Sequence, residues 1–302
     1  MTNIKKSYKD LMYKINKKPK AQYKRYTRSK GGTAMLFIIL AAASIFSILP
    51  LIYCINASLK PLDELLIFPP KIFVHRPTLE NFITLPSILG SLGVPITRYI
   101  FNSLFIALTG TILHIISASL AAFVFAKTHI KGRMLMFTIV QFALLYNAIT
   151  LAIPQYLIFS KLYMIDTYWV YILPAIPSSM GCFLMKQYMD SSVPTPLLEA
   201  ACIDGAGPFS IFFKIVMPIV KPAWMTLFLF SFQTQWSSIS GGTIFSEELK
   251  TLPQVLTTIT AGGIARTGSS MAATVLLLVP PMIVFVISQS NVMETMSTSG
   301  IK

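Results

Sequence analysis

Apolar residues in this chain come in long blocks, and charged residues fall between the blocks. Six stretches, near 34–58, 99–126, 134–160, 167–185, 222–244 and 269–293, contain no Asp, Glu, Lys or Arg. As helices they are long enough to cross a hydrocarbon layer about 30 Å thick, for which about 20 residues suffice. Lipid offers no partner to backbone N–H and C=O groups, so runs of this length must satisfy them internally as helices. The pattern therefore predicts an all-α polytopic membrane protein, with six transmembrane helices in residues 34–302 behind an N-terminal arm of residues 1–33. The first run, Ala34 to Ser58, is 25 residues long. A signal-peptide core has only about 7–15, so this run is expected to stay as a span.

Composition narrows the class. Hydrophobic residues make up 54% of the 302 and charged residues 12%, with a mean hydropathy of +0.66. A soluble domain carries about 25% charged residues, so an ordinary soluble enzyme is excluded. The net charge of +14 is concentrated, because residues 1–33 hold eleven Lys/Arg and one Asp, leaving +4 for the rest. A basic arm before an apolar run reads as an orientation signal and an anchor to anionic membrane lipid, at about 1 kcal/mol per basic residue. No recognition fold accompanies it, so nucleic acid is not an expected partner. With the N-terminus inside, cytoplasmic segments hold 18 Lys/Arg against 7 outside. The arm and the tight Lys127, Lys131, Arg133 turn carry that asymmetry, and both termini are expected in the cytoplasm. Cys54, Cys182 and Cys202 are odd in number and widely spaced, predicting packing residues rather than a disulfide framework or a metal site.

Two loops exceed a simple connection. Residues 59–98, outside on this topology, are rich in Pro and aromatics (Pro61, Phe68, Pro69, Pro70, Phe73, Pro77, Phe82), which predicts an ordered cap. Residues 186–221, inside, are longer than the about 2–8 residues that usually join neighbouring helices. Within them, Pro194-Thr-Pro opens a run of good helix formers from Leu197 to Cys202, and Gly205 stops it. Leu197, Leu198, Ala201 and Cys202 recur on one expected face. A second apolar stretch, Phe209 to Val220, is interrupted by Pro218. Such a helix, glycine turn, helix unit suits either a groove on a cytoplasmic partner or the lipid surface, and amphipathicity alone leaves both open.

The residues of this loop carry a likeness. Glu199-Ala200-Ala201, Asp204-Gly205-Ala206 and Ile215-Val216-Met217-Pro218 resemble the EAA motif of ABC importer permeases, in outline E-A-A-x-x-x-G followed at fixed distance by I-x-L-P. The Ile203-Asp204-Gly205-Ala206 form is similar to the carbohydrate branch, and to the second permease subunit of maltose-type transporters. Lys250-Thr251-Leu252-Pro253 and the tail Ser299-Gly300-Ile301-Lys302 extend the resemblance over residues 34–302. It implies a type I ABC importer permease fold and a coupling helix seated in a separate ATPase. The coupling residues by this likeness are Glu199, Ala200, Ala201, Asp204, Gly205, Ala206 and Pro218, with Glu199 meeting a basic residue of the ATPase. It further implies a second homologous permease, an ATPase dimer using ATP and magnesium, and an external sugar-binding protein, in the cytoplasmic membrane of a prokaryote. The chain itself has no G-x-x-x-x-G-K-[ST], so it is not expected to be an enzyme or the nucleotide-binding subunit. Position 202, often Arg in the family, is Cys here, and Gln233-Thr234-Gln235-Trp236 stands where Trp-Asn-Asp is common.

Polar residues in spans are costly and usually face a bundle interior or a water path. Asn102, His114, Gln141, Asn147, Gln233, Gln235 and Trp236 are the candidates. Gln233, Gln235 and Trp236, with Asn147, form the expected substrate path for a sugar, whose hydroxyls need amides and whose CH surface needs an aromatic face. Interhelical glue is the competing role for the same residue types, and His114 reads best as a packed, neutral histidine. An importer of peptides or amino acids shares the Glu-Ala-Ala core. A secondary transporter is a rival of another class, but it needs an intramembrane charge that the spans lack.

Overall fold

The computed structural model describes residues 30–90, 93–146, 148–239 and 242–299. The basic arm up to residue 29, Asn147 and the last three residues of the tail lie outside the described residues. All regular structure among the described residues is helical. The helices are α1 (Lys30–Ser58), α2 (Leu62–Leu65), α3 (Glu80–Gly90), α4 (Ile96–Lys127), α5 (Arg133–Ala143), α6 (Ala148–Lys161) and α7 (Trp169–Ala175). They continue as α8 (Ser179–Ser192), α9 (Thr195–Ile203), α10 (Pro208–Ile219), α11 (Lys221–Trp236), α12 (Leu252–Thr260) and α13 (Thr267–Ser299).

Length and apolarity mark three of the described helices as able to cross a membrane, over Gly31–Ser58, Ile96–Lys127 and Thr267–Met293. The bent pair α10–α11 makes a fourth if counted as one span. The remaining expected spans are not single rods. Residues 134–160 are split between α5 and α6, and 167–185 between α7 and α8. Pro177 supplies no N–H at the second break, where Ser178 turns extended and caps α8 by accepting from Gly181 N at 2.8 Å. The expected run 222–244 is helical only as far as Trp236.

The chain divides into two units after Leu51. The first contains α1 up to Leu51, whose apolar side chains, Phe37 and Phe46 among them, are exposed, as a lipid-facing helix requires. The second begins at Ile52. Its centre is α4, which packs against α7, α8 and α11, while α11 packs in turn on α13. Met134, Ile139 and Phe142 on α5, Ile153 and Leu157 on α6, and Ile283, Phe285 and Ile287 on α13 are exposed. A shell of that size belongs in lipid rather than water.

At one end of the second unit lies the ordered cap that the Pro- and aromatic-rich stretch predicts. Leu85 and Leu89 of α3 are buried against Val255 and Ile259 of α12 and Ala272 and Ala273 of α13. Asn81 donates to Ser58 O at 2.8 Å and Lys60 O at 2.7 Å, and Glu64 accepts from His75 N at 2.9 Å. Cys54 and Cys182 are buried as expected of packing residues, whereas Cys202 is exposed. It sits on the outer side of the short helix Thr195–Ile203.

Candidate functional site

The loop between α8 and α11 is built from its prolines and glycine. Pro194 is extended at φ −68° and ψ 132°, and Pro196 sits in the first turn of α9, where a missing N–H costs nothing. At the other end Gly205 takes φ +79°, the left-handed region that a side chain resists. There Ala206 N donates to Ala201 O at 2.9 Å and Gly205 N to Cys202 O at 3.0 Å. These are the paired 6→1 and 5→2 bonds of a Schellman stop, so the glycine's predicted role is realised in geometry.

α9 has two different sides. Leu198 and Ala201 are buried in a core with Ile115, Ala118 and Ala122 of α4, Met185 and Met189 of α8, and Ile211, Phe212 and Val216 of α10. Glu199, Ala200, Cys202, Ile203 and Asp204 are exposed, Ile203 at 87%. The apolar face expected from sequence is thereby divided, since Leu197 and Cys202 also point outward. One helical step of 100° separates 197 from 198, and only the 198 and 201 positions reach the core. Ala206 is half-buried against the same cluster, so it and Ala201 hold the helix while Glu199 and Asp204 are presented.

Pro218 shapes the second half of the loop. Its ring has no N–H and crowds the carbonyl four residues back, at Lys214. The chain answers with a π turn over Phe212–Val216 immediately before it. At Val220 the path turns by 81° into α11. Trp224 Nε1 spans the corner, donating to Met217 O at 3.1 Å. Lys127, the last residue of α4, donates from Nζ to Val193 O at 2.7 Å, tying the end of a crossing helix to the start of the loop.

The expected substrate-path residues are distributed rather than gathered. Gln233 is exposed on α11, and Gln235 is half-buried and borders a cavity of about 300 Å³ with Tyr156, Tyr171, Ala175 and Ser238. Trp236 is 3% exposed, stacked on Phe232 with centroids 5.9 Å apart, and does not border that cavity. Its Nε1 donates to Leu277 O at 2.9 Å. That carbonyl has lost its helical partner because position 281, four residues on, is proline.

Asn102 and His114 prove to be structural. Asn102 Nδ2 donates to Glu248 O at 2.7 Å and Lys250 O at 2.9 Å, and its Oδ1 accepts from Tyr168 Oη at 2.7 Å. Next to it, Ser103 Oγ accepts from the buried Leu252 N at 2.8 Å. Together they clamp the Lys250-Thr251-Leu252-Pro253 segment onto α4. His114 Nδ1 meets Ala175 O at 2.8 Å and Ser117 Oγ donates to Ile176 O, both carbonyls at the broken end of α7. Gln141 is exposed on α5.

Sequence reasoning missed Asp166. This residue has φ 61° and accepts from Phe245 N at 3.0 Å, Ser246 N at 2.9 Å and the Ser246 hydroxyl. The Ser246 hydroxyl, then its N–H, hold the carboxyl below its ordinary value, outweighing the opposing effect of burial. A lone Asp in a short loop carries no sequence signal for a partner 80 residues away.

Over nearly its whole length this apolar helical bundle, with its short, outward-facing Glu-Ala-Ala helix, is similar to permease proteins of sugar ABC transport systems. It is 29% identical over 274 residues to the sulfoquinovosyl glycerol transport system permease protein SmoH of Agrobacterium fabrum, covering 90% of this chain and 94% of that one. To the arabinooligosaccharides transport system permease protein AraQ of Halalkalibacterium halodurans it is 29% identical over 276 residues, covering 89% and 96%. The lactose transport system permease protein LacG of Rhizobium radiobacter is 26% identical over 262 residues, covering 86% and 93%. In fold it matches, at TM-score 0.73 and 21% identity, a chain of a bacterial ABC transporter involved in the import of the acidic polysaccharide alginate, covering 87% of this chain and 98% of that one. No family model matches the chain.

Proposed function

We propose that this chain is one permease half of an importer that carries a sugar or oligosaccharide across the cytoplasmic membrane, driven by ATP hydrolysis in a separate subunit. The observation that carries the reading is the two-sided α9. Its outer side offers Glu199, Ile203 and Asp204, while its inner side is part of the core of α4, α8, α10 and α11. A partner that moves α9 cannot do so without moving that core, because close-packed side chains transmit displacement rather than absorb it.

The reading assigns Glu199 to a basic group on the ATPase, and Gly205 to the tight exit that lets Glu199 and Asp204 be presented together. Pro218 and the bend at Val220 turn a displacement of the loop into a tilt of α11. ATP and magnesium belong to the partner ATPase dimer. A second permease completes the path, an external binding protein delivers the sugar to the 59–98 cap, and both termini lie in the cytoplasm. The sugar assignment is supported by relatives named for sulfoquinovosyl glycerol, arabinooligosaccharide and lactose transport, and by the Ile203-Asp204-Gly205-Ala206 form of the motif.

Purification of the chain from its native membrane in mild detergent, followed by ATPase assays with a panel of oligosaccharides, tests the proposal. Co-purifying ATPase and a second permease, with stimulation by a glycan, is the expected result. A chain that purifies alone and responds to no glycan overturns it.

A further inference from the structure

We infer that this subunit itself holds one uncharged sugar ring, in the cavity that Gln155, Tyr156, Gln235 and Ser238 border between α6, α7 and α11. The inference rests on the import reading above. The cavity has a volume of about 300 Å³, the lower end of the about 300–1,000 Å³ usual for small-molecule sites, which suits a single ring rather than a chain of them.

Its chemistry is that of a hydroxyl-rich neutral ligand. Two amides, Gln155 and Gln235, offer donors and acceptors together, and Tyr156 and Phe159 give aromatic faces for the CH surface of a ring. Among the described residues no Asp, Glu, Lys, Arg or His borders the space. A carboxylate or sulfonate placed there would lose its hydration without gaining a counter-charge, so the site discriminates against acidic sugars.

The walls are held from behind. Tyr171 Oη is fixed on Gln254 Oε1 at 3.0 Å. Gly110 of α4 lies directly behind Gln235, since a Cβ at that glycine would come within 3.3 Å of Gln235 Cγ and of Ala175 Cβ. The absence of a side chain on α4 is what lets α7 and α11 close around the cavity. A binding group is most precise when it stands on packed helices in this way.

The test uses the whole importer in nanodiscs with its binding protein, and with a non-hydrolysable ATP analogue to hold ligand in the membrane path. The readout is the amount of radiolabelled glycan retained by the complex, for the neutral oligosaccharide that best stimulates the wild type and for trigalacturonate as an acidic counterpart. Gln235→Ala and Gln155→Ala are expected to lower retention of the neutral glycan about tenfold each, with assembly of the complex unchanged, and Gln235→Asn is expected to restore part of it. Trigalacturonate is expected not to be retained. Equal retention by the wild type and both alanine variants, or equal retention of trigalacturonate, overturns the site while leaving the import reading in place. A wild-type complex that no glycan stimulates overturns both.

Discussion

Lys127 Nζ lies 2.7 Å from the carbonyl oxygen of Val193. The first residue ends α4 and the second immediately precedes Pro194 and α9, so one charge-assisted bond joins the central helix to the helix proposed above to meet the ATPase. The same two segments are joined again through side chains, with Ala118 and Ala122 of α4 in one core with Val193, Leu198 and Ala201. A polar tie above an apolar contact fixes both the distance and the angle between the loop and α4.

Lys127→Met is expected to remove the tie but keep the aliphatic stem. Hydrogen bonds to charged groups contribute about 1.5–3 kcal/mol, so transport per ATP hydrolysed should fall several-fold while membrane insertion is unchanged. Lys127→Arg should retain most of the function. Uptake and ATPase rates compared in proteoliposomes check this, and a Met variant with wild-type stoichiometry would refute it.

Gly205→Ala forces a side chain into a left-handed residue and should cost about 1–2 kcal/mol locally. Gly205→Pro additionally removes the N–H that bonds Cys202 O. Both this variant and Glu199→Lys are expected to insert normally and to lose the co-purifying ATPase. Normal uptake by either one counts against the coupling role of α9.

Trp236 offers a contrast between packing and pathway. Trp236→Ala should destabilise the bundle by about 3–5 kcal/mol, as large-to-small changes in a packed core do. Trp236→Phe should keep the stack on Phe232 yet leave Leu277 O unpaired, for a loss of about 1–3 kcal/mol. Thermal inactivation of the purified complex ranks the two. If Trp236→Ala lowers transport at unchanged thermal stability, the residue belongs to the path after all.

Asp166 sets a pH limit on the loop that runs from Thr243 to Thr251. Its carboxyl is held below the ordinary value of 3.8 by the Ser246 hydroxyl and N–H. A depressed folded-state pKa contributes stability that is fully present above the unfolded value and lost as pH falls through the folded one. Protease resistance of the loop should therefore be flat from neutral pH down to about 4 and decline only below it. Asp166→Asn should show the low-pH protease sensitivity at neutral pH, and resistance equal to wild type would show that the carboxylate does not hold the loop.

Features of the chain that depend on neighbours in sequence are legible in the amino-acid order alone. Charge-free runs mark membrane helices because lipid forbids an unsatisfied backbone. Pro194, Pro196 and Gly205 mark the bounds of α9 because each acts on its own dihedrals and N–H. The breaks are harder to read, since Pro50 and Pro154 lie inside continuous helices while the chain breaks beside Pro177. Whether a proline kinks or ends a helix depends on what else can satisfy the freed carbonyl, as His114 and Ser117 do at Ala175 and Ile176.

Roles that depend on distant partners were decided only by the tertiary fold. Asn102 and Ser103 bond a loop almost 150 residues further along the chain, and Trp236 reaches a carbonyl 41 residues away. In sequence each is a polar or aromatic residue in an apolar run, equally suited to a water path or a helix contact. Burial and the partner's unsatisfied carbonyl made them structural. By the same test Gln235, half-buried and bordering a cavity, stands apart from the packed residues around it. Local rules set what each residue is able to do, and the packing of α4 against α7, α8 and α11 chose which of those capacities is used.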